Sequence, residues 1–164
     1  MIDIHIASAD IQNALNDLSK YPDEVKKRVR SEISRCSWSV TNKAQRNLKN
    51  NKNYKTGRLS SSMPAYASTN MDLSRFQAKA GTDVEYGSYV ELGTPPHMIE
   101  VKKAKVLAKY TGTVAGKEQF TIFGKRVNHP GTRPSPFLMP AAESERPIYE
   151  GNIQKILNDS AGSK

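Results

Sequence analysis

The feature that most constrains this chain is an apolar stripe in its first third. Val25, Val29, Ile33, Cys36, Val40 and Ala44 recur at steps of 4, 4, 3, 4 and 4. At about 100° per residue these positions line up on one side of a helix. A strand cannot use that spacing, because its side chains alternate between two faces. The pattern predicts a long amphipathic helix from about Pro22 to about Lys49. Pro22 followed by Asp23 and Glu24 suits its start, since acids complement the positive end of a helix. The polar run from Asn50 to Asn53 suits its end.

The same segment carries the chain's whole charge excess. The net charge is +9, and between Lys20 and Arg58 stand 12 basic and 3 acidic residues, whereas the remainder has 13 of each. Lys27, Arg28, Arg35, Arg46 and Lys49 fall roughly opposite the apolar stripe, together with Trp38, the only tryptophan. A basic block of this kind either is a solvated face or meets something negative, whether nucleic acid or an acidic protein surface. Trp38 among cations either packs against another part of its own subunit or anchors a neighbouring one.

With 164 residues the chain is expected to form a single domain, 1–164. Hydrophobic residues make up 37% and the mean hydropathy is −0.65, so the core is modest and neighbouring subunits are expected to cover part of the apolar surface. Ile2, Ile4 and Ile6 alternate as in a strand, and Ile11, Leu15 and Leu18 follow at helical intervals. Leu59 to Ala67 reads as a strand, with Pro64 placing it at an edge or bulge. Phe76, Ala78 and Ala80 suggest another strand, closed by Gly81. Tyr86, Tyr89, Val90 and Leu92 predict a short helical turn ending at Gly93. Residues 94–131 form an excursion, read as a projecting hairpin: strands Val106–Tyr110 and Phe120–Val127 joined by a loop from Thr111 to Gly116. A C-terminal helix is expected from about Met139 to Leu157, kinked or split at Pro147, with Ile148, Ile153, Ile156 and Leu157 on its apolar side and a frayed end from Ser160. The fold class is α+β: a long N-terminal helix and a C-terminal helix packed on a small, mostly antiparallel sheet.

Several function classes find no support. No run of about 18 apolar residues exists, so no membrane span is expected, and the start Met1 to His5 is not that of a secretory signal. Cys36 is the single cysteine, which excludes an internal disulfide and fits a reducing cytoplasm. His97 and His129 flank proline turns and converge at the base of the excursion in this reading, but no third ligand stands at metal spacing. Gly112 to Glu118 is one residue short of a phosphate loop, and Glu118 replaces the hydroxyl that would hold magnesium. There is no nucleophile elbow and no acidic cluster for a nuclease. The chain is expected not to be an enzyme and to need no metal or cofactor.

Two segments are left over, Tyr86 to Thr94 and His129 to Ala142. Both mix turn formers with large apolar anchors, which suits assembly better than chemistry. The aromatic-rich Tyr86-Gly-Ser-Tyr-Val-Glu-Leu-Gly-Thr94, the later Pro136-Phe-Leu-Met-Pro-Ala141 and the turn Thr56-Gly57-Arg58-Leu59 with Ser61 and Ser62 occur in the order, and after the basic helix, seen in one family. In these the chain resembles the tail-completion (neck, or head–tail joining) proteins of long-tailed double-stranded DNA bacteriophages. The resemblance implies a structural protein of the virion neck and tail, made in the host cytoplasm. It implies a homo-oligomeric ring, of six copies by analogy with neighbouring neck components, and contact with the tail terminator, the stopper or connector and the tail tube. Tyr86, Tyr89, Glu91, Phe137 and Leu138, which lie in its motifs, and Trp38, Arg28, Arg35 and Arg46, on the basic face of the long helix, are expected to be the assembly or motif residues. Glu91 would form either a local salt bridge or a pair between subunits. Gly57, Gly93, Pro95, Pro96, Pro130, Gly131, Pro136 and Pro140 would set the turns. The alternative is a basic nucleic-acid-binding protein using the 22–50 helix, and a neck ring would itself touch phage DNA transiently.

Overall fold

A computed structural model describes residues 2–4, 13, 17–51, 56–102, 105–114 and 117–161. The class is α+β. The chain divides into two compact units, Met1–Leu92 with Ser135–Lys164, and Gly93–Pro134.

In the first unit, helix α1 spans Asp23–Asn50 and buries the whole predicted stripe, Val25 through Ala44, extended by Leu48. Its first turn holds Asp23 and Glu24 and its last turn Lys49, each complementing the helix dipole. The residue after it, Asn51, turns to extended backbone while its N–H bonds the Leu48 carbonyl at 3.1 Å.

The segment read as a strand at 59–67 is instead a second helix, α2 (Arg58–Thr69). Its buried residues Leu59, Met63, Tyr66 and Ala67 follow helical spacing, and Gly57 begins it in the left-handed region, φ 74°. Pro64 has no N–H to offer the carbonyl of Ser60, four residues back. That carbonyl accepts the side chain of Gln45 from α1 at 2.7 Å, so the proline costs no unsatisfied acceptor.

Strand β1 (Ile2–Ile4) runs antiparallel to β4 (Ala80–Thr82), pairing Ile2 with Thr82 and Ile4 with Ala80. Ile6, Ile11 and Leu15 lie outside the described residues, while Leu18 is buried in a short 3-10 turn, Leu18–Lys20. Gly81 sits inside β4 rather than closing it. Phe76 is not in a strand: it ends the turn between β2 (Met71–Asp72) and β3 (Gln77–Ala78) with φ 56°. Arg30 of α1 covers its ring at 4.8 Å and donates to the Leu73 carbonyl at 3.1 Å. Helix α3 (Gly87–Leu92) ends before Gly93, as its spacing predicted.

Helix α4 (Leu138–Ala161) packs along α1. It buries Leu138, Ala141, Ala142, Glu145, Tyr149, Ile153 and Ile156. Ile148 lies one position off that line and is exposed, against expectation. The helix runs on through Pro147 and past Ser160 to Ala161. Pro147 and Glu143, whose carbonyl loses its helical donor, both face solvent, so water can replace the missing bond.

In the second unit, β5 (His97–Glu100) pairs antiparallel with β8 (Arg126–His129), and β6 (Leu107–Val114) with β7 (Lys117–Gly124). The hairpin strands reach further than the expected loop at 111–116 allowed. A bulge between Tyr110 and Gly112, with Gly112 at φ 136°, absorbs the irregularity. The stretch 120–127 is not one strand, since Gly124 at φ 87° breaks it. Thr94 and Thr132 exchange both backbone bonds, at 3.0 and 3.1 Å, and close the base of the unit.

Candidate assembly surface

Glu91 is the most informative of the singled-out residues, and it occupies neither position foreseen for it. It is 3% exposed and, among the described residues, pairs with no cation. Its Oε2 accepts the N–H groups of Phe137 and Leu138 at 2.8 and 3.0 Å, and its Oε1 accepts that of Met139 at 2.8 Å. A helix leaves its first four N–H groups without internal partners. Here three go to one carboxylate, and the fourth does not exist because the residue is Pro140. Pro140 is thus a first-turn helix residue rather than a corner. The chain next to Glu91 is tied to the same place, since Ser135 N–H bonds the Val90 carbonyl at 2.9 Å. The two leftover motifs are therefore one device, in which the first caps the helix that the second opens.

Phe137 and Leu138 are fully buried, so they belong to the chain's own core and present nothing to a neighbour. Asn47 of α1 donates to the Phe137 carbonyl at 3.0 Å and fixes the same corner from the other side.

A second cluster was missed by the sequence reading. Glu145, on the buried line of α4, is 1% exposed. Its Oε1 accepts Arg35 at 2.6 Å, and its Oε2 accepts Lys43 at 2.6 Å and Ser39 at 2.8 Å. Arg35 also grips Glu32 with a two-pronged contact at 2.8 and 2.6 Å, and Glu32 accepts Asn152 of α4 at 3.0 Å. The set holds two anions and two cations, so it is neutral. Burial opposes the charge on Glu145, but the bonds from Lys43, Ser39 and Arg35 outweigh it and hold the carboxyl below its ordinary value. The bond to Glu32, against the opposing effect of burial, pushes the Arg35 guanidinium up. Burial pushes the adjacent Cys36 thiol up to about 12, so it is no nucleophile at neutral pH. The available signal was an acid in phase with Ala141, Ala142 and Tyr149 on a buried helix face.

The remaining candidates are on the surface. Trp38 is 38% exposed, Tyr86 39% and Tyr89 60%, and Leu92, not singled out beforehand as an assembly residue, is 67% exposed. Arg28 pairs with Asp159 at 3.0 Å, and Arg35 is engaged as described, so neither is a free cation of an outward face. Arg46 is exposed and has no bond to another described residue.

In the second unit Gly93 and Gly131 stand at φ 73° and 81°. A Cβ on either would collide with the carbonyl of Thr132 or Thr94 across the closed base, so both positions require glycine. Pro95 and Pro96 lead into β5, and Pro130 leads out of β8; all three are exposed. Pro136, exposed in the first unit, precedes the capped helix. His97 and His129 face each other across β5 and β8 with ring centres 5.0 Å apart. His97 Nδ1 meets the Pro95 carbonyl at 3.0 Å, and His129 Nδ1 accepts the Gly131 N–H at 3.1 Å. Both rings thus brace turns. Among the described residues no three metal-ligating side chains gather, and no helix is long and apolar enough to cross a membrane. On the hairpin, Tyr110 stacks edge-on against Phe120 at 5.6 Å, and Ala108 opposes Ile122 in register. Tyr110, Phe120, Ile122 and Phe123 are all exposed.

The chain matches no protein-family model, no curated protein and no solved structure.

Proposed function

We propose that this chain is a structural virion protein of a tailed bacteriophage, one subunit of a ring of six in the neck that completes the tail and joins it to the head connector. The observation that carries the reading is the clamp at Glu91. Two of the three segments on which the phage-neck resemblance rests meet here: the Glu91 carboxylate of one caps the helix opened by the other at Phe137, 46 residues on. The polar groups at this point are consumed in holding shape, which favours geometry over chemistry as the product of the motif. Exposed Trp38, Tyr86, Tyr89 and Leu92 in the first unit, and the apolar hairpin in the second, supply surfaces of the kind that neighbours cover. In a ring such contacts are head-to-tail and close on themselves. The partners would be further copies of the chain and the terminator, connector and tail-tube proteins, met after synthesis in the host cytoplasm.

Mass photometry of the purified protein, alone and with connector or tail-tube protein, tests the ring. A species near six protomers is expected, with Tyr89→Ala and Trp38→Ala shifting it to monomer at unchanged thermal stability. A gene among connector and tail-tube genes, and rescue of a tail-joining defect, would agree. Absence of the protein from purified virions would overturn the reading.

A further inference from the structure

The cations of the basic segment are not equivalent. Along the middle of α1, Arg28, Arg30, Arg35 and Lys43 are all engaged, with Asp159, Leu73 and Phe76, Glu32 and Glu145. At the corner where α1 ends and α2 begins the situation reverses. Arg46, Lys49 and Arg58 are exposed, and none bonds to another described residue. Arg46 and Lys49 stand three apart on the last turns of α1, with Cβ atoms about 5–6 Å from each other. Gln45 ties the two helix ends together, since its bond to the Ser60 carbonyl at 2.7 Å holds the first turn of α2, which also carries Arg58, against α1. No Asp or Glu occurs in the sequence between Glu32 and Asp72. The end of α1 and the start of α2 thus carry three exposed cations with no acid in their own stretch of sequence.

We propose that this corner contacts the phosphate backbone of double-stranded DNA, through Arg46, Lys49 and Arg58. The charge calls for a polyanion. The described residues of the two helix ends offer no large apolar anchor, and that favours one polyanion over the others. Among the described residues no large exposed hydrophobic side chain lies between Trp38 and Tyr86. A protein interface draws its energy from buried aromatic or aliphatic centres, and single strands are held by stacking on aromatic rings. Backbone contact with a duplex needs neither. Binding of this kind is independent of base sequence and steep in salt. The inference stands apart from the ring reading, because it concerns the free protein.

The test is fluorescence anisotropy of a labelled duplex of about 30 base pairs, titrated with the full chain across a salt series. Three phosphate contacts predict a log–log slope of about −2.7 per protomer, or roughly 40-fold weaker binding at 200 mM than at 50 mM salt. The triple variant Arg46→Gln, Lys49→Gln, Arg58→Gln should bring the slope close to zero. A charge-matched triple in the second unit, Lys109→Gln, Lys117→Gln, Lys125→Gln, should leave it intact. Equal losses in both triples would reduce the effect to net charge and overturn the proposal. So would absence of binding at 50 mM salt, tighter binding of the single strand, or displacement by poly-glutamate as readily as by unlabelled duplex, which would assign the corner to an acidic protein.

Discussion

The two units treat buried and exposed groups in opposite ways. The first unit encloses three carboxylates, Glu32, Glu91 and Glu145, and gives Glu91 and Glu145 three partner groups apiece. The second unit, Gly93–Pro134, pairs its strands two by two and leaves Tyr110, Phe120, Ile122 and Phe123 at the surface. Isolated two-stranded ribbons are marginal in water. The first unit thus carries the means of its own stability, while the second holds its shape with backbone pairing and tight glycine corners. The difference teaches where two kinds of mutation should act: on folding at the enclosed acids of the first unit, on association at the exposed ribbon of the second, as at the exposed rings of the first.

The largest effect should come from Glu145→Ala. It would leave Arg35 and Lys43 without their buried anion, and because both cations keep partial access to water the loss should sit at the low end of that for a broken buried ion network, about 3 kcal/mol. For a chain of this size that lowers the melting temperature by roughly 6–12 °C, measurable by circular dichroism. A loss below about 1 kcal/mol would mean that the cluster is wetter than its 1% exposure indicates. Glu91→Ala comes next. It orphans three N–H groups at the start of α4, two of them on fully buried residues, for about 2–3 kcal/mol. Hydrogen exchange separates it from a general loss of stability: the amides of Phe137, Leu138 and Met139 should lose protection first, with the hairpin amides unchanged.

These two acids also mark how far the sequence could be read. The stripe from Val25 to Ala44 was legible because six residues in phase leave one solution, and the short helix before Gly93 because a glycine stop is a local signal. Pro64 misled, because the partner that excuses a proline inside α2 is Gln45, on another helix. Ile148 misled because a helix containing Pro147 offers two competing phases. Glu91 was recognised as part of a motif but not understood, since its partners are backbone amides 46 residues onward, and amides carry no sequence signature. Arg35 read as part of an outward basic face because Glu145, which pairs with it, lies 110 residues away.

Acid should weaken the first unit through Glu145. Its carboxyl is held below its ordinary value of 4.5 in the folded chain. The unfolded chain therefore binds the proton more readily between the two values, and stability rises with pH across that window. The contribution is complete above about 4.5 and is lost as pH falls through the folded value. Denaturant titrations at descending pH should show the midpoint falling below about pH 4.5 in the wild type, and Glu145→Gln should flatten that slope. A wild-type slope unchanged by Glu145→Gln would place the acid sensitivity elsewhere, for example on Asp72, whose carboxyl is also held low by the Ser74 hydroxyl.

The smallest effect on folding should come from the hairpin, and it sharpens the contrast most. Phe120→Ser with Ile122→Ser removes two large side chains that already face water. Exposed positions away from caps, ion networks and strained backbone shift stability by no more than about 0.5 kcal/mol. The melting temperature should therefore barely move, by about 1–2 °C. Tyr110 loses its edge-on partner at 5.6 Å, a contact that contributes about 0.5–1.5 kcal/mol in buried settings and less in this exposed one. If the apolar side is covered by a neighbour, the same variant should fail to enter assemblies that the wild-type chain joins, measured by co-sedimentation with connector or tail-tube protein. A double serine variant that melts many degrees lower would mean that the ribbon's apolar face stabilises the isolated chain, and the contrast between the units would collapse.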